Sequence, residues 1–191
     1  MDQRDTDELS VTWVERTASN MLKRVLAHID SALAGFTRRS IAAIFDIDDT
    51  LLFNHTDPMN DSIAPNHTIK TIFNYLKQRG VPVFIVTARQ RTHNSYMYAK
   101  RQLHALGYKG HMGIFMTPRE YSEDGTPARF KYDARAMIHK SHTVILNVGD
   151  MITDHIGPKC TLCEPVRPDL YYGISDTTHP ETLSVKLPER N

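Results

Sequence analysis

The residues in this chain best suited to chemistry are the acids of Asp46-Ile47-Asp48-Asp49-Thr50, which follow the apolar run Ile41-Ala42-Ala43-Ile44-Phe45. Carboxylates two positions apart at the mouth of a buried strand repel one another. At ~4 Å and an effective dielectric near ~20, each pair repels by roughly 4 kcal/mol. A cation or a reacting group between them removes the objection. A second acidic pair, Asp150 and Asp154, follows another apolar run, Val144-Ile145-Leu146-Asn147-Val148-Gly149. Acids therefore stand at the ends of two apolar segments.

Those acids need a scaffold. Short apolar segments at 41–46, 82–87, 112–115, 143–148 and about 170–174 read as strands, while 68–79, 92–106 and 130–140 carry helical spacing. Alternation of this kind predicts an α/β fold: a three-layer, Rossmann-like parallel sheet with helices on both faces and right-handed crossovers. Pro82 falls on the first residue of its strand, where a missing N–H is tolerated. In such a sheet the carboxyl ends of the strands share one edge, and ligands bind there.

Topology then predicts that Asp46 and Asp48, Thr87, and Asp150 and Asp154 gather on one rim. Lys131 begins the helix that leads into the 143–148 strand. Carboxylates at i and i+2 of an extended segment can face the same side, and Asp150 would supply a third. An oxygen-rich group of this size suits Mg2+, which takes few protein ligands and completes its shell with water and phosphate oxygens. The Thr87 hydroxyl and the Lys131 ammonium match phosphoryl oxygens. The set predicts phosphoryl transfer, where positioning and charge neutralisation do most of the catalysis. Taken singly, the residues have plainer readings. The 46–50 segment could be a turn and helix cap, Thr87 a strand-end hydroxyl, Lys131 a solvated helix residue and Asp154 a surface acid. Their order and shared rim favour the joint reading.

Four motifs make the chain resemble the haloacid dehalogenase-like (HAD) hydrolase superfamily. They are Phe45-Asp46-Ile47-Asp48-Asp49-Thr50-Leu51-Leu52, Val86-Thr87-Ala88-Arg89, Lys131, and Gly149-Asp150-Met151-Ile152-Thr153-Asp154. Phe130-Lys131-Tyr132-Asp133-Ala134-Arg135, Asn147-Val148-Gly149-Asp150 and Tyr171-Tyr172-Gly173-Ile174 further resemble its class B acid phosphatase branch, subfamily IIIB. The resemblance implies a Mg2+-dependent phosphomonoesterase. Asp46 would be the nucleophile that becomes an aspartyl-phosphate. Asp48 would serve as general acid and then base, with its main-chain carbonyl on the metal. Thr87 and Lys131 would hold the phosphoryl group. Asp150 would ligate Mg2+, and Asp154 would help hold the metal site together. Arg89 would either touch substrate or pair with a nearby acid. Many members of the branch are exported, whereas this sequence shows no export signal.

Composition adds bounds. The chain has 191 residues and a formal net charge of +1, so neither a polyanion-binding nor a membrane-surface role is announced. No apolar stretch nears the roughly 20 residues of a membrane span, and the polar start Met1-Asp2-Gln3-Arg4-Asp5 has no apolar core behind it. These features predict a soluble cytoplasmic protein. Residues 7–34 read as one amphipathic helix through Val14, Ala18, Met21, Leu22, Val25, Ile29 and Leu33, stopped by Gly35 at C′ and anchored by Trp13. This divides the chain into an N-terminal helix, 1–35, and a phosphatase domain, 36–191. The helix either packs on that domain or joins a second subunit in a homo-oligomer.

Beyond about 175 the tail reads as irregular surface chain. The intervals around Thr87 have no room for a typical cap domain. The 51–67 segment reads as a flap; Asn54 and His55 could lie in it over the site, but the plainer reading makes them loop residues. Cys160 and Cys163 form half of a zinc or redox pattern without its partner pair and read as incidental thiols. The sequons at Asn54, Asn60 and Asn66 read as loop composition. His139 and His142 straddle a helix end and read as surface residues.

The expected substrate is a small organic phosphate or nucleotide. One alternative is a nucleic-acid end phosphatase, with Arg89, Arg91, Tyr96, Tyr98, Lys100 and Arg101 following a strand backbone. Another is a non-catalytic phosphate-binding or storage module, which a retained Asp46 disfavours.

Overall fold

Successive residues of Ile41–Phe45 serve two different cores, and this sets the architecture. Ile41, Ala43 and Phe45 pack with one group of helices, while Ala42 and Ile44 pack with another. The alternation follows from the twofold side-chain period of an extended strand.

The computed structural model describes residues 8–36, 40–54, 63–123, 127–155, 161–162, 167–176 and 179–189. In chain order they form β1 (Glu8–Glu15), α1 (Ala18–Gly35), β2 (Ile41–Phe45), β3 (Leu52–Asn54), β4 (Ile63–Pro65), α2 (His67–Gln78), β5 (Val83–Gln90) and α3 (His93–Ala105). There follow β6 (Gly113–Thr117), α4 (Arg119–Glu123), α5 (Pro127–His139), β7 (Thr143–Gly149), a 3-10 turn (Ile152–Asp154), β8 (Thr161–Leu162), β9 (Tyr171–Asp176) and β10 (Leu183–Lys186).

The main sheet has the order β6-β5-β2-β7-β10-β9-β1-β8, and β3 and β4 form a separate antiparallel pair. β9 runs antiparallel to both β10 and β1, and every other pairing in the main sheet is parallel. The sheet is therefore mixed rather than wholly parallel. The link from β9 to β10, residues 177–182, is too short for a parallel crossover, which needs a dozen residues or more. One face carries Met21, Val25 and Ile29 of α1, Ile69, Ile72, Phe73 and Leu76 of α2, and Ala99 and Leu103 of α3. The other carries Phe130, Ala134 and Ile138 of α5. Burying each such Leu, Ile or Phe side chain is worth roughly 1.5–3 kcal/mol.

Three expectations need correction. Residues 8–15 are a strand, so the predicted 7–34 helix is two elements. Val11, Thr12, Trp13 and Val14 suit a pleated surface, and α1 begins only after Thr17, whose hydroxyl accepts from Asn20 N at 3.3 Å. Val14 is consequently 47% exposed. Gly35 closes the last turn of α1 instead of standing beyond it, and the Phe36 N–H donates to Ala32 O at 3.0 Å. The tail beyond 175 holds β10, a buried strand paired with β7 and β9. α1 buries Met21, Val25, Ile29 and Ala32 within its own chain, and Tyr75 of α2 donates to Asp30 Oδ1 at 2.6 Å.

Between β2 and α2 the described residues form only the β3–β4 pair, and Asn66 caps α2 by accepting from Ile69 N at 3.3 Å. His55, Asn60, Cys160 and Cys163 lie outside the described residues. No helix among the described residues is long and apolar enough to cross a membrane.

Candidate active site

β2 delivers Asp46 to the carboxyl edge of the sheet, where its N–H donates to Val148 O at 3.0 Å and keeps it in register with β7. The chain then turns sharply. Leu51 N and Leu52 N both donate to Ile47 O, at 2.9 and 3.1 Å, and Asp49 sits at a φ of 52°. Asp and Asn tolerate that left-handed conformation better than most residues. Ile47 is fully buried in the core and pins the turn. Asp46 and Asp48 thus leave it toward different partners.

Asp46 meets Lys131. α5 starts at Pro127, earlier than predicted, with proline at its first position where no N–H is needed. Lys131 consequently stands in the second turn, 6% exposed, and donates to Asp46 Oδ1 at 3.0 Å and Asp154 Oδ1 at 2.5 Å. The solvated-lysine reading is excluded. Asp154 is itself fixed: its Oδ2 accepts from Met151 N at 3.1 Å, and its carbonyl accepts from Asn147 Nδ2 at 2.7 Å. Gly149 leaves room for this carboxylate, since a Cβ there would lie 2.3 Å from Asp154 Oδ2. Behind it, His155 Nε2 lies 3.3 Å from Gly149 O. Burial pushes His155 down to about 4, so the ring is neutral at ordinary pH.

One oxygen each from Asp46, Asp150 and Asp154 comes within 4.8 Å of the others, and all three residues are buried. Burial and then the Asp154 charge hold Asp46 well above the ordinary carboxylate range, with Lys131 opposing them. Burial and Asp154 also push Asp150 up to about 6. For Lys131, burial favours the neutral amine, but Asp46 and Asp154 outweigh it and raise the group. Three carboxyl groups against one lysine leave hard oxygen donors that a cation would let ionise together. That donor set fits Mg2+ better than a soft or imidazole-seeking ion.

The third carboxylate of the group is Asp154, not Asp48. Asp48 faces Arg89, which grips it with two bonds, Nε to Oδ2 at 2.8 Å and Nη2 to Oδ1 at 2.7 Å. Of the two readings of Arg89, pairing with an acid is the one seen. Arg89 Nη1 also donates to Gln102 Oε1 at 2.7 Å. Thr87 is fully buried on β5, and its hydroxyl accepts from Arg89 N at 3.3 Å. A register shift between Thr87 and Gln90 interrupts the pairing of β5 with β6 just beyond Thr87. Gln102 gave no sequence signal beyond its place in a helix. Asn147 did give one, as the single amide inside an apolar strand.

A three-layer α/β sheet with acids, a lysine and a hydroxyl on its carboxyl rim defines an open α/β fold whose ligand site lies at that rim. Residues 59–189 match the family described as HAD superfamily, subfamily IIIB (acid phosphatase), and the chain belongs to it. Among solved structures, the chain is similar to the class C acid phosphatase from Bacillus anthracis. The TM-score is 0.59 at 18% identity, covering 73% of this chain and 64% of that one. The same Bacillus anthracis enzyme with tungstate bound gives a TM-score of 0.58 at 18% identity, with coverage of 73% and 64%. The matched region thus spans about 64% of the length of that protein. None of the curated proteins matches this sequence.

Proposed function

We propose that this chain is a Mg2+-dependent phosphomonoesterase acting on a small organic phosphate or a nucleotide through a phosphorylated Asp46. The observation that supports it best is Lys131 bridging Asp46 and Asp154 beside Asp150, all buried at the carboxyl edge of the sheet. Membership of the acid phosphatase family agrees with it.

The side chains of Asp46, Asp150 and Asp154, with the Asp48 main-chain carbonyl, would hold Mg2+. When bound, Mg2+ supplies positive charge to the phosphoryl oxygens and lowers the repulsion among the acids. Lys131, together with the positive charge Mg2+ would add, favours the ionised form of Asp46 against burial and Asp154, and with the Thr87 hydroxyl it orients the phosphoryl group. A carboxylate oxygen of Asp46 attacks phosphorus, and the bond to the leaving oxygen breaks as Asp48 gives that oxygen a proton. Asp48 then takes a proton from water as the water oxygen attacks phosphorus, and the Asp46–phosphorus bond breaks to release phosphate. Both Asp48 oxygens accept from Arg89, so the first proton transfer requires Asp48 to leave the guanidinium fork. The second step is helped by re-forming it.

Turnover of an aryl phosphate with Mg2+ tests the reading. Asp46→Asn should abolish turnover without lowering the melting temperature, and full turnover in that variant would refute the scheme. Weak salt dependence with a nucleotide, against a steep fall with an oligonucleotide end, separates the small substrate from a nucleic-acid one.

A further inference from the structure

We infer that His139, His179 and Glu181 form a second metal site, for a borderline transition ion such as Zn2+, which ties the end of α5 to the turn entering β10. The three stand far apart in sequence. His139 closes α5, while His179 and Glu181 precede β10. One donor atom from each falls within 4.8 Å of the other two. The two imidazole rings stack with centroids 3.9 Å apart and planes 21° apart, and His179 Nδ1 lies 3.7 Å from Glu181 Oε1.

The place is remote from the acidic rim. α5 leads into the amino end of β7, and the turn leads into the amino end of β10, so the cluster occupies the sheet edge opposite Asp46 and Asp150. Just beyond it, the Thr182 hydroxyl donates to Val144 O at 2.6 Å and fastens the turn to β7. All three side chains are half-buried, open enough for an ion to enter from solvent and for water to complete its shell.

The donors decide the ion. Two imidazoles and one carboxylate suit Zn2+, Ni2+, Co2+ or Cu2+ and suit Mg2+ poorly, the reverse of the all-oxygen group at the other edge. Ligands around tetrahedral Zn2+ at about 2.0–2.1 Å stand roughly 3.3 Å apart, a spacing that falls within the 4.8 Å over which the three donor atoms gather. An ion shared by both rings must lie in the plane of each. Stacked rings cannot satisfy that, so binding must turn one imidazole out of the stack.

Co2+ titration of the full chain in excess Mg2+, followed by visible absorption, tests the site. A tetrahedral band should saturate at one equivalent, and Zn2+ should displace it. His139→Ala and His179→Ala should each weaken binding at least about tenfold, while circular dichroism and melting temperature without Co2+ stay as in the parent. Glu181→Gln should also weaken binding, and this near-isosteric change guards against misfolding of the histidine variants. Phosphatase activity with Mg2+ should be unchanged in His179→Ala. Cys160→Ser with Cys163→Ser should leave the band intact. Unchanged Co2+ affinity in the histidine variants, or loss of the band with the cysteines or with Asp150→Asn alone, would overturn the assignment.

Discussion

Lys131 and Asp46 stand 85 positions apart in sequence, yet their side chains meet at 3.0 Å at the sheet edge with almost no exposure to solvent. The same ammonium reaches Asp154. One cation thus faces two of the three acids of the group, and its removal leaves buried carboxylates without compensation. Lys131→Met should lower turnover by about two to three orders of magnitude. It should also destabilise the protein without Mg2+ by about 3–5 kcal/mol, and added Mg2+ should recover part of that. Urea unfolding with and without Mg2+, beside steady-state kinetics, checks both effects. Parental stability would show that the bridge contributes nothing.

Asp150 gives a pH dependence with a definite sign. Its folded value, about 6, lies above the ordinary value of 3.8, so the folded state holds this proton more tightly than the unfolded chain. Without divalent ions, its contribution to stability is full below about pH 3.8 and is lost as pH rises through about 6. Binding a cation requires the carboxylate, so stabilisation by Mg2+ should grow between pH 5 and pH 7. Melting temperatures with Mg2+ and with a chelator at those two pH values measure this. An equal Mg2+ effect at both would contradict the placement of Asp150 in the metal group.

Arg89 holds Asp48 with two parallel bonds, a geometry that lysine cannot reproduce. Arg89→Lys should therefore lower kcat by about tenfold or more while the fold persists. Gln102→Leu, which removes only the acceptor for Arg89 Nη1, should have a smaller effect of the same sign. A fully active Arg89→Lys variant would reduce the pair to a surface contact.

At the other end of the sheet, Gly173 lies opposite Trp13, and a Cβ added there would come within 2.2 Å of the indole. Gly173→Ala should destabilise the protein by about 1–3 kcal/mol through overpacking. Trp13 is the chain's only tryptophan, so its fluorescence follows the loss directly. Unchanged stability would mean that β1 is not docked against β9 as described.

These elements show what the sequence could and could not reveal. The carboxyl-rim acids were legible because each follows a continuously apolar strand, and a parallel sheet sends such ends to one edge. β1 was not legible: the three- and four-residue spacing from Val14 onward crosses a strand–helix joint, and exposed Val14 mimics a helix position. β10 hid for another reason. Leu183-Ser184-Val185-Lys186 is short, lies between Pro180 and Pro188, and ends in a lysine that would ordinarily be exposed. That lysine is buried by an ion pair with Glu189 at 3.1 Å. The Arg89 grip on Asp48 and the closeness of His139 to His179 depend on side-chain directions across elements, which residue spacing does not encode.

The most direct measurement is the site of covalent modification during turnover. A reaction with Mg2+ and an aryl phosphate, quenched in acid and digested, should yield a phosphoryl adduct on the peptide containing Asp46, and none in Asp46→Asn. An adduct on another residue, or turnover with no adduct at any time after mixing, would contradict the account.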